Sequence, residues 1–261
     1  MIVTNNFDLT GKVALITGGN GGIGLAFALG IAKAGGAVCI WGRNKEKNEK
    51  ALKLIHTTGA QAGALICDVS DEKSVQECFK STLDTFGRVD GCFANAGIMG
   101  NDFSFIDRPF SDWKKLMSIN LDGVFLTLQA AARHMIERAK NGDAFGRLVI
   151  TSSMASRMGV ARHEDYGASK SAVNSLSKAL AVELARYKIT SNTILPGWVE
   201  SEMTQQMVEN SKFTEKVISR VPLRRWGKAE EFENIAVYLM SNGSGYHTGD
   251  EIVIDGGYTQ F

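Results

Sequence analysis

Lys12-Val13-Ala14-Leu15-Ile16-Thr17-Gly18-Gly19-Asn20-Gly21-Gly22-Ile23-Gly24 decides how the rest of this chain is read. Its first half is a short, β-branched apolar run, the composition of a strand buried on both faces. Its second half is a glycine-rich turn, and residues 25–34 continue it with helical character. Strand, glycine turn and helix start together form the phosphate-binding arrangement of dinucleotide folds. The glycines let backbone N–H groups approach a pyrophosphate, and the helix N-terminus adds partial positive charge. Glycines alone would also suit an ordinary tight turn; the flanking strand and helix favour the dinucleotide reading. Gly18, Asn20, Gly22, Ile23 and Gly24 are the candidate cradle.

Outward from this unit the pattern repeats. Residues 37–41, 64–67, 89–94, 145–151, 189–195 and 251–254 are apolar runs with strand character. Between them, residues 45–56, 71–86, about 111–139, 165–184 and 229–240 have helical spacing. Residues 198–222 look less regular and are expected to form a substrate-loop insertion. Such alternation predicts an α/β, Rossmann-like doubly wound parallel sheet of about seven strands, with helices on both faces in three layers. No linker, low-complexity tract or repeat interrupts it, so residues 1–261 are expected to be a single domain.

Composition narrows the function classes. At 44% hydrophobic, 261 residues can bury one sizeable core. Twenty-nine basic and 28 acidic residues nearly cancel, which argues against a nucleic-acid or membrane-surface partner. The four cysteines (Cys39, Cys67, Cys78, Cys92) are scattered, without CxxC or histidine partners, so neither a disulfide framework nor a metal site is expected. Residues 1–6 lack the features of a leader, and no apolar run reaches membrane-spanning length. A soluble, cytoplasmic protein is expected.

The second strand ends in Gly42-Arg43-Asn44, with no carboxylate until Glu46. An acidic residue there would bind the ribose 2′-OH of NAD, whereas an arginine can pair with the 2′-phosphate of NADP. Arg43 therefore favours NADP, with NAD left open because Gly21 supplies no second base. Asp68, followed by Val69 at the third strand end, can meet the adenine or simply cap a turn. Asn95 and Gly97 close the fourth strand and are expected to shape its end behind the cofactor.

Tyr166-Gly167-Ala168-Ser169-Lys170 places a phenol and an ammonium four residues apart on one helix face. A free tyrosine has a pKa of about 10. A nearby cation would stabilise the phenolate and make it a better proton carrier. By itself such a pair is more often a packed ring beside a solvated amine.

Together these motifs resemble the short-chain dehydrogenase/reductase family over nearly the whole chain. Its TGxxxGxG motif is matched by Thr17-Gly18 through Gly22-Ile23-Gly24, and its NNAG motif by Ala94-Asn95-Ala96-Gly97, with alanine first. Its YxxxK motif is Tyr166 to Lys170, its serine thirteen residues earlier is Ser153, and its helical asparagine is Asn120. The resemblance implies an NAD(P)-dependent oxidoreductase acting on a secondary alcohol or ketone. It implies that Tyr166 moves the proton and that Lys170 lowers the Tyr166 pKa and holds the nicotinamide ribose. Ser153, rather than its neighbour Ser152, would stabilise the substrate oxygen, and Asn120 would fix a water linking Lys170 to solvent. Pro196, Gly197, Val199 and Ser201, the last in place of a common threonine, would meet the nicotinamide end. His163 is expected to be a pocket or surface residue.

Specificity is expected from residues 98–105, 154–163 and 198–221. Met154, Val160, Trp198, Met203 and Met207 supply an adaptable apolar wall, unless they pack the lid instead. With no Arg or Lys cluster expected at the pocket, an apolar small-molecule substrate, cyclic or terpenoid-like, is the first expectation. A sugar or polyol, a 3-oxoacyl thioester, and a non-catalytic dinucleotide sensor are the alternatives. The resemblance also implies a homotetramer.

Overall fold

The computed structural model describes residues 6–260. Residues 1–5, part of the stretch read above for leader features, lie outside that range. Seven strands form one sheet: β1 Val13–Thr17, β2 Ala37–Gly42, β3 Ala62–Ile66, β4 Gly91–Ala94, β5 Gly146–Thr151, β6 Ile189–Pro196 and β7 Glu251–Ile254. Their order is β3-β2-β1-β4-β5-β6-β7, and every pairing is parallel. The order reverses between β1 and β4, so a crevice opens beyond their carboxyl ends.

Side-chain alternation along the strands builds a core on each face. On one face Leu15, Cys39, Trp41, Cys92 and Ile150 pack beneath α3 Glu72–Phe86, α5 Gly123–Lys140 and α6 Glu164–Leu184. On the other, Ala14, Ile16, Val38, Ile40, Phe93 and Val149 pack beneath α1 Gly22–Lys33, α2 Lys45–His56 and α9 Glu233–Met240. Both faces are covered, which is why these strands read as continuous apolar runs. Among the described residues no helix is long and apolar enough to cross a membrane.

Four segments depart from the sequence reading. The helix expected over 111–139 is α4 Phe110–Met117 followed by a π turn, Ser118–Asp122, before α5 begins. The wider turn displaces the helix where Gly123 meets Val69; a Cβ on Gly123 would lie 2.8 Å from Val69 Cγ2. The stretch 198–222 is not merely irregular, because it contains α7 Gln205–Glu209 and α8 Ser211–Ile218. Asn210 caps α8 by accepting from Phe213 N, and Phe213 and Val217, four residues apart, turn inward. Pairing with β2 extends from Ala62 to Ile66, so β3 begins and ends earlier than the 64–67 run, while β4 starts only at Gly91.

Candidate active site

The glycine turn after β1 is shaped by contacts that exclude side chains. Gly18 and Gly22 have φ of 63° and 50°, in the left-handed region that favours glycine. A Cβ on Gly24 would sit 2.3 Å from the Gly18 carbonyl and 2.5 Å from Asn95 Nδ2. Asn95 holds the turn from behind: its Nδ2 donates to the carbonyls of Thr17 and Gly18, while Thr151 Oγ1 donates to its Oδ1. The Thr17 hydroxyl accepts from Asn95 N and Ala96 N. Helix α1 then starts at Gly22 without a side-chain cap on its N–H groups. The result is an exposed cradle of amides, suited to a pyrophosphate.

At the second strand end, Asn20 Nδ2 donates to Asn48 Oδ1 at 2.6 Å, and Asn48 in turn donates to the carbonyls of Gly42 and Leu65. Arg43 is exposed, and it helps hold the nearby Asp68 carboxyl below its ordinary range. The larger cause of that lowering is Ser70, whose hydroxyl and backbone amide both donate to Asp68 Oδ1. Asp68 thus makes the turn cap, and Val69 is buried against Gly123.

Strand β5 and helix α6 bring together three of the expected catalytic side chains. Ser153 follows β5; its hydroxyl accepts from Ala155 N and hydrogen-bonds Tyr166. Ser152 points the other way and donates to the Lys170 carbonyl, so Ser153 is the serine that faces the phenol. Lys170 is 3% exposed, donates to the Thr151 carbonyl at 2.8 Å, and lies 5.7 Å from the centroid of the Tyr166 ring. Burial pushes its pKa down to about 8. Burial also raises the Tyr166 phenol, opposed by the Ser153 hydrogen bond. Ser153 thus opposes the rise that burial imposes on the phenol, while the Lys170 ammonium is directed at the Thr151 carbonyl.

Asn120 sits in the π turn, fully buried. Its Oδ1 accepts from Ile98 N, while its Nδ2 donates to Ile98 O and to Ser169 Oγ. Gly97 gives Asn120 and Lys170 room to approach; a Cβ there would lie 3.2 Å from Asn120 Oδ1 and 3.4 Å from Lys170 Nζ.

Gly97, Ser153, Tyr166 and Lys170 line a cleft of about 1140 Å³. Of the expected cofactor residues, Gly18, Asn20, Gly22, Ile23, Asn95 and Gly97 face it from the β1 and β4 ends. Pro196, Gly197, Val199 and Ser201 face it from the β6 end. Met154, Val160, Trp198, Met203 and Met207 form the substrate side. Gly24, Arg43, Asp68, Val69 and Asn120 lie outside its lining.

One feature of the cleft differs from the sequence reading: Arg162, Lys216 and Arg220 line it, where no Arg or Lys cluster was expected, and His163 lines it as a pocket residue. Lys216 lies on α8 and Arg220 just beyond it, a stretch whose helical faces were not assigned from sequence. Much of the apolar wall packs within the 198–226 region, the alternative that the sequence left open. Trp198 meets Phe213 and Trp226 edge-on at 5.3 and 5.6 Å, and Met154, Val217 and Tyr258 complete the cluster. Tyr258 and Thr204 were missed from sequence. Tyr258 is presented by Gly256 and Gly257, both left-handed, and Arg220 stacks 4.6 Å over its ring. Thr204 Oγ1 braces the segment by donating to Val199 O. Among the described residues no three His, Cys, Asp or Glu side chains group in a way that could hold a metal ion.

A family profile described as "Enoyl-(Acyl carrier protein) reductase" matches residues 18–259. The chain belongs to the short-chain dehydrogenase/reductase family. Members of this family are NAD(P)-dependent oxidoreductases acting on hydroxyl and keto groups, and so is this chain. Gluconate 5-dehydrogenase of Gluconobacter oxydans is 35% identical over 253 residues, 97% of this chain and 96% of that one. The structure of a gluconate 5-dehydrogenase from Burkholderia cenocepacia in complex with NADP and tartrate is 34% identical, covers 98% of each chain and superposes with a TM-score of 0.92. A structure of NAD+-bound xylitol dehydrogenase is 33% identical, covers 95% of this chain and 99% of that one, with a TM-score of 0.88.

Proposed function

We propose that this short-chain dehydrogenase/reductase interconverts the ketone and secondary alcohol of a polyhydroxylated, carboxylate-bearing substrate of the aldonate type, with NADP(H) as cofactor. The observation that carries it is a cleft with Tyr166 and Ser153 on its floor and Arg162, His163, Lys216 and Arg220 around it. His163 Nδ1 and Trp198 Nε1, on residues that line the cleft, are buried without a hydrogen-bond partner in the protein. An apolar ketone is the second reading, favoured by Met203, which is 47% exposed and lines the cleft.

The nicotinamide dinucleotide supplies the hydride when bound. The amide cradle at Gly18–Gly24 would hold its pyrophosphate, Arg43 the 2′-phosphate, and Pro196, Gly197, Val199 and Ser201 its nicotinamide end. Tyr166 donates the proton to the carbonyl oxygen in reduction; a pKa raised by burial keeps the phenol protonated for that task. Ser153 donates a hydrogen bond to the same oxygen as charge develops on it. Lys170, held on Thr151 O, bears the adjacent positive charge and would meet the nicotinamide ribose. Asn120 fixes the Ile98 backbone beside them. We take the whole chain as one catalytic domain, working as a cytoplasmic homotetramer.

The test is a substrate panel followed through NADPH absorbance: 5-keto-D-gluconate, xylulose, an acetoacetyl thioester and a cyclic apolar ketone. Preference for 5-keto-D-gluconate is expected. Turnover of the apolar ketone or the thioester alone would reject the proposed substrate class.

A further inference from the structure

Residues 98–109, between β4 and α4, form one wall of the cleft through Met99, Gly100, Asn101 and Asp102. Apolar burial does little to hold the outer part of this segment, because Phe105 and Ile106 are 71% and 89% exposed. Its deeply buried charge is Arg108, whose side chain is only 5% exposed. From there the guanidinium crosses to the turn before α6. Its Nη1 donates to Asp165 Oδ2 at 2.6 Å and to the Asn101 carbonyl at 3.3 Å, and its Nη2 donates to the Arg162 carbonyl at 2.5 Å.

Asp165 is buried and immediately precedes Tyr166. Its Oδ1 accepts from Tyr166 N at 2.8 Å, within the first turn of the helix that carries the phenol. One carboxylate therefore joins the loop to the start of that helix. Gly100 lies directly on this pair; its φ is 79°, and a Cβ would meet Asp165 Oδ2 at 3.4 Å and Leu116 Cδ1 at 2.8 Å. Arg162 is left-handed as well, with φ of 69°, a conformation that costs a non-glycine residue about 1 kcal/mol. Its carbonyl is held by Arg108, and its own Nε donates to Asp102 Oδ1 at 2.5 Å. Both lips of the cleft are thus tied to each other and to the Tyr166 helix through Arg108 and Asp165.

We propose that Arg108 and Asp165 are positioning residues, a buried ion pair that locks the 99–102 wall and the Arg162–His163 turn onto the Tyr166 helix. They fix where a substrate oxygen meets the phenol. For its effect on turnover this rests on the oxidoreductase reading above, but its effect on the loop does not. Neither Arg108 nor Asp165 lines the cleft that the glycine cradle opens into, so cofactor affinity should be independent of the pair.

Three variants test it: Arg108→Met, Arg108→Lys, and the double variant Arg108→Met/Asp165→Asn, which leaves no unpaired buried charge should the single change fail to fold. Backbone amide exchange over residues 98–105 and 160–167 is measured with NADPH affinity by fluorescence and with kcat and KM for 5-keto-D-gluconate. Exchange in the two segments should rise on the order of tenfold, with NADPH affinity within about twofold of wild type. Turnover should fall on the order of 100-fold in kcat/KM, the cost of a misplaced reacting group. Arg108→Lys should recover part of it, since a lysine keeps the charge but not the multiply bonded fork. Unchanged exchange, NADPH affinity falling in step with kcat, or full turnover in the double variant would overturn the proposal. If wild-type protein turns over no ketone of this class, the substrate reading fails, and amide exchange with NADPH affinity still decides the positioning pair.

Discussion

Replacing Lys170 with methionine should make the protein more stable at neutral pH while abolishing its activity. Lys170 is 3% exposed, and burial lowers its pKa from 10.5 to about 8. Between those values the unfolded chain binds a proton that the folded protein does not, so Lys170 makes stability rise with pH from about 8 to 10.5. Below about pH 8 its desolvation cost is fully present, on the order of 3 kcal/mol at 1.36 kcal/mol per pKa unit. Methionine fills similar volume without that cost but loses the hydrogen bond to Thr151 O, worth about 1 kcal/mol. The net gain of about 2 kcal/mol at pH 7 corresponds to a rise in Tm of about 4–8 °C for a chain of this size. By pH 10.5 the gain should vanish, leaving only the lost hydrogen bond. Cys39, Cys67 and Cys92, all raised by burial, reduce stability as pH climbs past 9, but they do so equally in both proteins. The assay is thermal unfolding of wild type and Lys170→Met from pH 6 to 10.5. A difference in Tm that does not shrink with pH, or a less stable variant at pH 7, would refute the reasoning.

The glycine turn and the second strand end give two further tests. Gly24→Ala forces a Cβ against the Gly18 carbonyl and should cost about 1–3 kcal/mol and NADPH affinity together. Gly21→Ser has open space and an extended N-cap backbone, so it should leave the thermal midpoint unchanged or slightly raised; comparable losses in both variants would reject the geometry of the cradle. Arg43→Ala should weaken NADPH binding about tenfold and leave NADH binding unchanged, as read by fluorescence titration; equal loss for both would mean that Arg43 does not meet the 2′-phosphate.

The sheet was legible because both its faces are covered: buried strands leave unbroken apolar runs such as Val13–Thr17, and only their ends were uncertain. The glycine turn was legible for a related reason, since Gly24 leaves no space for any side chain. Other features depend on contacts far apart in sequence. The π turn at Ser118–Asp122 precedes the close approach of Gly123 to Val69, and no local periodicity announces either. Lys216 and Arg220 were missed at the cleft because α8 is short and its faces are set by the Trp198 cluster. The direction of the Lys170 ammonium depends on the Thr151 carbonyl, nineteen positions away. Arg108 was not singled out from sequence, because its burial depends on Asp165, far along the chain.

The central claim is that Tyr166 moves the proton in a ketone–alcohol interconversion within the Ser153–Lys170 cleft. NADPH consumption with 5-keto-D-gluconate, compared between wild type and Tyr166→Phe alongside NADPH affinity for each, tests it most directly. The account predicts equal NADPH affinity and turnover in wild type alone. Turnover retained by Tyr166→Phe would contradict it.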